Sequence, residues 1–215
     1  NSNPRHDDFW KKKIIQNSEL KKNKYKFTIG VALKDYYSNN QLKKYKYLLK
    51  CILNLQNYVK NARIILKTHP LQSTDEIKKI LKEINAKNYI LSNKHIIEIF
   101  NISDFCISYH RSTTFLDGLA LNKPTIKTWS TRISTEKKHI ELFGKNACVL
   151  TQMKLANIIN NKSDLEKYFK LALSNPNSFN WKKQRKIYLS KINTKKNVSD
   201  FIIKKIENML KELKS

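Results

Sequence analysis

Short apolar runs alternate with longer stretches of helical periodicity between residues 27 and 150, and that alternation leaves few folds open. The runs are Phe27–Leu33, Ala62–Lys67, Asn88–Leu91, Asp104–Tyr109, Pro124–Thr128 and Ala147–Leu150. Each has the length and composition of a strand. Between them, Gln41–Val59 sets Leu42, Tyr45, Leu48, Leu49, Ile52, Leu53 and Leu55 on one broad face. Ser73–Asn85 reads as a helix capped by Ser73 or Thr74, His95–Ile102 as a short helix, and Thr113–Leu121 as a helix ending at Asn122 ahead of Pro124. The spacings suit parallel crossovers, so the reading is α/β: a doubly wound parallel sheet of about six strands. From Thr151 onward the pattern is helical. Residues 1–26 read as a linker, 27–160 as the sheet domain and 161–215 as a helical C-terminal extension.

Glycine decides which phosphate sites are excluded. Gly30, Gly118 and Gly144 are the only three, so neither GxGxxG nor GxxxxGK[ST] occurs. Any phosphate must be held by other means. The formal net charge is +26, with 43 Lys and Arg against 17 Asp and Glu. Only five of the basic residues are arginine (Arg5, Arg63, Arg111, Arg132 and Arg185). Abundant Asn, Ile and Lys beside scarce Gly is what an AT-rich genome produces. Attraction to an anionic partner is the other explanation, and the two are compatible. No run approaches the roughly 18 to 20 apolar residues of a membrane span, and the polar start, Asn1–Trp10, has neither a signal-peptide pattern nor an initial Met. Cys51, Cys106 and Cys148 stand far apart in apolar runs and read as buried thiols. No HExxH, CxxC or acidic cluster occurs, so no metal site is expected. The expected location is the cytoplasm, including the inner face of its membrane.

Two segments carry chemistry. Lys67-Thr68-His69-Pro70 follows the second run. Proline disfavours helical geometry at the preceding residue, which places His69 in an extended turn at the strand's end. An imidazole there donates to a phosphate oxygen or protonates a leaving group, and Lys67 adds positive charge. Arg111-Ser112-Thr113-Thr114-Phe115-Leu116-Asp117 follows the fourth run and opens a helix. Ser112 or Thr113 caps that helix, and hydroxyls and backbone donors there are able to share one anion. Asp117, one turn beyond Thr113 and flanked by Leu116, Leu119 and Ala120, is the candidate ribose ligand. Pro70, Arg111 and Thr114 complete the expected phosphate-binding set. Trp181–Ile192 is a basic helix whose Trp181, Ile187, Tyr188 and Ile192 suit either an anionic membrane or the sheet domain. Interleaved Tyr and Lys at Tyr36–Tyr47 come without any RNA-binding motif, so nucleic acid is not the expected partner.

Taken in order, Lys67-Thr68-His69-Pro70 and Ser112-Thr113-Thr114-Phe115-Leu116-Asp117 through Pro124 resemble the C-terminal nucleotide-binding domain of GT-B glycosyltransferases. The likeness is to enzymes of bacterial surface carbohydrate and capsule assembly. The His-Pro and Ser-Thr pair is similar to that of bacterial sialyltransferases, Kdo transferases and glycerophosphotransferases, all users of cytidine nucleotides. Asn3-Pro4-Arg5-His6-Asp7 resembles the segment that enters the second domain in such enzymes. The resemblance implies a Rossmann-like domain, one half of a GT-B fold, holding a CMP- or CDP-linked donor, with a UDP-sugar as alternative. It implies no resident cofactor and a metal-independent transfer in which His69 is catalytic. The implied partners are a glycan or lipid-linked acceptor and an N-terminal GT-B domain, with an anionic membrane surface as a further one. A sugar-nucleotide epimerase and a non-catalytic RNA- or membrane-binding module are the competing readings.

Overall fold

A computed structural model describes residues 12, 14–16, 27–34, 39–109, 112–129, 155–157, 159, 161–191, 204, 206 and 208. Its sheet has five strands: β1 (Phe27–Ala32), β2 (Ala62–Lys67), β3 (Tyr89–Ser92), β4 (Phe105–Ser108) and β5 (Thr125–Lys127). They lie in the order β3-β2-β1-β4-β5 and every pairing is parallel. A sixth strand at Ala147–Leu150 falls outside the described residues. Helices connect the strands: α1 (Asn39–Leu53), continued by a 3-10 turn at Asn54–Tyr58, then α2 (Thr74–Glu83), α3 (Ile96–Ile102) and α4 (Thr114–Ala120). After β5 come α5 (Lys162–Ser174) and α6 (Phe179–Lys191). Pro176 stands in the break between these two, where a helix cannot take it.

Strand side chains alternate between two apolar layers. Ile29, Val31, Ile64, Leu66, Phe105, Ile107 and Ile126 meet Tyr45, Leu48 and Ile52 of α1, Ile77, Ile80 and Leu81 of α2, and Leu165 and Phe169 of α5. On the other face, Ala32, Ile65 and Cys106 meet Ile96, Ile97, Ile99 and Phe100 of α3. The small residues of β1 on this face let α3 come close. A Cβ at Gly30 would collide with the Ser103 hydroxyl and stand 3.0 Å from Phe100. Gly118 does the same for α4, where an added Cβ would lie 2.8 Å from Thr125 Cγ2. Two of the three glycines therefore serve helix–sheet contact.

Asparagine takes the left-handed backbone positions that glycine usually fills. Asn61, Asn85, Asn88 and Asn122 have φ of 59°, 53°, 54° and 57°. Two of them end helices in the same way. Asn85 N–H donates to Lys82 O at 3.0 Å and Ala86 N–H to Leu81 O at 2.9 Å. Asn122 N–H donates to Leu119 O, and Lys123 N–H to Gly118 O, both at 3.0 Å. These paired bonds satisfy the last carbonyls of α2 and α4 and turn the chain straight into the next segment.

The apolar face of α6 is used inside the molecule rather than left for a membrane. Trp181 packs with Phe105 and Tyr168, while Tyr188 joins Phe115, Leu116 and Leu119 of α4. Arg185 donates to Leu119 O and lies over the Tyr188 ring. Ile192 lies outside the described residues. No helix among the described residues is long and apolar enough to cross a membrane.

Candidate functional site

The strand order reverses direction between β1 and β4: chain growth runs from β1 through β2 to β3, then returns to β4 on the far side of β1. The loops leaving neighbouring strands there diverge, and a crevice opens at their carboxyl ends. A cleft of about 540 Å³ lies at that edge. Ala32, the last residue of β1, and Leu33 after it line the cleft. Lys67, Thr68, His69 and Pro70 come from the end of β2, Asn93, His95 and Ile96 from the β3–α3 junction, and Ser112, Thr113 and Thr114 from the start of α4.

The β2 loop is a tight turn. Gln72 N–H donates to His69 O at 3.0 Å, closing a four-residue turn with Pro70 at the position that favours its fixed φ. Leu71 N–H donates to His69 Nδ1 at 3.3 Å. An Nδ1 that accepts leaves the proton of the neutral ring on Nε2, so His69 offers an N–H donor from its other nitrogen. His95 is built likewise. Its Nδ1 accepts from Ile97 N–H at 3.2 Å while Glu98 Oε1 accepts from His95 N–H at 3.0 Å, a reciprocal cap on α3. Lys67 is half-buried, and burial lowers its pKa from the ordinary lysine value. Among the described residues no carboxylate pairs with its ammonium.

At the start of α4, Ser112 rather than Thr113 does the capping. Thr113 already has helical dihedrals and makes no side-chain cap bond. Ser112 Oγ accepts from Thr114 N–H at 3.3 Å. Thr114 Oγ1 sits 2.8 Å from both Ser112 Oγ and Ser108 Oγ. Ser108, the last residue of β4, is fully buried.

The structure thus gathers Lys67, His69, Pro70, Ser112, Thr113 and Thr114, segments some forty residues apart in sequence, onto one cleft. Asp117 is not among the lining residues; it is 0 % exposed, a turn further along α4. Arg111 lies outside the described residues. Three polar lining residues were not among the expected ligands, Thr68, Asn93 and His95, although the His95-x-x-Glu98 spacing ahead of an apolar run is a capping signal legible in the sequence. Ser108 had no signal beyond being a polar residue in a buried strand. The lining contains an ammonium, two imidazoles, an amide and hydroxyls, and no carboxylate. Its chemistry is that of an anion receptor. Cys106, in the core on the α3 face of the sheet, is fully buried and its thiol is pushed far up by burial, which makes it inert as a nucleophile. Among the described residues no three His, Cys, Asp or Glu lie together as metal ligands.

An all-parallel sheet in this order with an anion-suited cleft at its switch point defines a Rossmann-like domain of the kind that makes up half of the GT-B architecture. Residues 10–143 match the profile of the LIC12162 family of transferases, and the chain belongs to that family. Among solved structures it is similar to a Listeria monocytogenes protein described as a UDP-N-acetylglucosamine 2-epimerase. The TM-score is 0.52 at 12% identity, over 81% of this chain and 44% of that one. It is also similar to a variant of S. aureus TarM solved with fondaparinux, alpha-GlcNAc-glycerol and UDP. There the TM-score is 0.50 at 12% identity, over 80% of this chain and 35% of that one. At this identity the likeness is one of fold. The chain spans less than half the length of either protein. No curated protein sequence matches it significantly.

Proposed function

We propose that this chain is the donor-binding half of a GT-B glycosyltransferase, or glycerophosphotransferase, of bacterial surface polysaccharide synthesis. Its substrate is a cytidine-nucleotide-activated sugar or polyol. The observation that carries the reading is the convergence of Lys67, His69 and the Ser112–Thr114 hydroxyls on one carboxylate-free cleft at the sheet's switch point. The nucleotide's phosphate lies between the β2 turn and the start of α4. Negative charge grows on that phosphate as the sugar–oxygen bond breaks. The Lys67 ammonium, the His69 Nε2 proton and the Ser112 hydroxyl stabilise it, and His69 is the catalytic residue. Arg111, next to Ser112 in sequence, adds charge. The burial of Asp117 gives no support to a ribose contact, so the proposal rests on the other residues. The acceptor, a glycan or lipid-linked sugar, and an N-terminal GT-B domain complete the cleft from the opposite side. The reaction takes place in the cytoplasm or at the inner membrane face, without a resident metal.

A UDP-sugar is the second reading, favoured by the UDP in the TarM complex with which the fold is shared. Calorimetric titration with CMP, CDP, UDP and ADP tests both. Cytidine nucleotides are expected to bind most tightly and ADP least. Preference for UDP moves the assignment to uridine donors. No binding of any pyrimidine nucleotide at millimolar concentration by the folded chain contradicts the reading.

A further inference from the structure

Ser108 touches neither the cleft nor solvent, yet its hydroxyl is the inner end of a chain that reaches the cleft. Being fully buried, it is cut off from bulk solvent, and its proton needs an acceptor in the protein. Two are in reach: Thr114 Oγ1 at 2.8 Å and Tyr109 O at 3.4 Å. The first has the distance of a normal O–H···O bond, and the second is beyond it. With Ser108 donating to Thr114 Oγ1, the Thr114 proton is directed to Ser112 Oγ, 2.8 Å away. Ser112 Oγ then accepts twice, from the Thr114 hydroxyl and from Thr114 N–H at 3.3 Å. Its own proton has no acceptor within this set and is left for a ligand in the cleft that Ser112 lines.

Run in the opposite sense, the chain ends differently. Ser112 would donate to Thr114 and Thr114 to Ser108, turning the lone pairs of Ser112 toward the cleft. That arrangement repels an anion. The direction of three protons therefore decides whether this wall donates or accepts, and the residue that sets the direction lies at the end of β4. Hydrogen bonds in series also polarise one another, so Ser112 donates more strongly at the end of such a chain than alone.

We propose that Ser108 is a positioning residue for the anion site, acting through Thr114 to hold Ser112 as a hydrogen-bond donor toward the nucleotide's phosphate. This rests on the reading of the cleft as a nucleotide-phosphate site. Ser108→Ala takes away the bond that fixes and polarises the Thr114 hydroxyl, so Ser112 is no longer held firmly as the donor. The loss expected is that of one neutral hydrogen bond, about three- to tenfold in affinity.

The test is a double-mutant cycle on the full chain, with CMP and UDP as probes and melting temperature as a folding control. Ser108→Ala is expected to weaken binding about three- to tenfold, and the near-isosteric Thr114→Val, which cuts the same chain at its middle, by at least as much. In a Ser112→Ala background, Ser108→Ala is expected to add nothing, because the donor it orients is gone. A merely structural serine would lower affinity by the same factor in both backgrounds, and that result overturns the proposal. Wild-type affinity in Ser108→Ala also overturns it. Failure of the wild-type chain to bind either nucleotide removes the phosphate site itself, and the relay with it; binding that Ser112→Ala weakens and Ser108→Ala does not removes the relay alone.

Discussion

Lys67 shows how a residue is kept where it does the fold no good. Its ammonium is half-buried with no counter-charge among the described residues, and burial lowers its pKa. The native chain therefore holds that proton less firmly than the unfolded chain does. The resulting penalty on stability is fully present below the folded pKa and disappears as pH rises past the unfolded value. Lys67→Met is expected to melt no lower than wild type at pH 7, with any gain shrinking in alkaline solution. The same substitution removes a charge-assisted bond to phosphate, worth about 1.5–3 kcal/mol, so nucleotide affinity should fall roughly ten- to hundredfold. Scanning calorimetry and titration on one protein sample check both halves. A destabilised variant with unchanged affinity would assign Lys67 to the fold. Asn122 is the reverse case, a residue whose value is conformational. At φ 57° it ends α4 with two backbone bonds. Asn122→Ala is expected to lower unfolding free energy by about 1 kcal/mol and Asn122→Gly to leave it unchanged or slightly raised, measured by urea unfolding.

Among the elements, α3 depends on a single missing side chain, as α4 does at Gly118. It closes over Gly30, where a Cβ would run into Ser103, whose hydroxyl already donates to Ile99 O at 2.7 Å in a buried setting. Gly30→Ala is expected to destabilise by about 1–3 kcal/mol through overpacking, read as a lower urea midpoint with unchanged slope. Wild-type stability would mean that α3 lies farther from β1. Strands were the most legible part of the sequence: Ala62–Lys67 carries the same limits in both readings, and the other four described strands differ by one residue at one end or both. Buried parallel strands leave a continuous apolar mark that does not depend on their neighbours. The two site loops were legible because each lies directly after such a strand, and the fold brings them together by strand order alone. The setting of Asp117 was harder to read. Its apolar flanks suggest burial, but complete burial follows from Phe115, Leu116 and Leu119 packing with Leu155 and Tyr188, contacts made across tens of residues. The face of α6 was equally ambiguous, since a membrane and a protein core select the same amphipathic pattern.

Over the whole molecule, a charge of +26 is spread widely and does not by itself mark a site. Ion pairs such as Lys78 with Asp75 are on exposed surface and add little. Position in the topology separates the switch-point cleft from two other concavities. One is a basic groove of about 500 Å³ beside Lys182, Arg185 and Lys186 on α6. The other is a polar hollow of about 400 Å³ around Asn61, Arg63 and Asn88, at the opposite edge of the sheet. Each offers positive charge, so affinity alone does not locate the nucleotide. A crystal structure of the chain soaked with CMP or UDP does. The phosphate is expected within hydrogen-bonding distance of His69 Nε2 and Ser112 Oγ, with the Lys67 ammonium beside it. A nucleotide seated in the α6 groove or the polar hollow, with the switch-point cleft holding only solvent, would contradict the account.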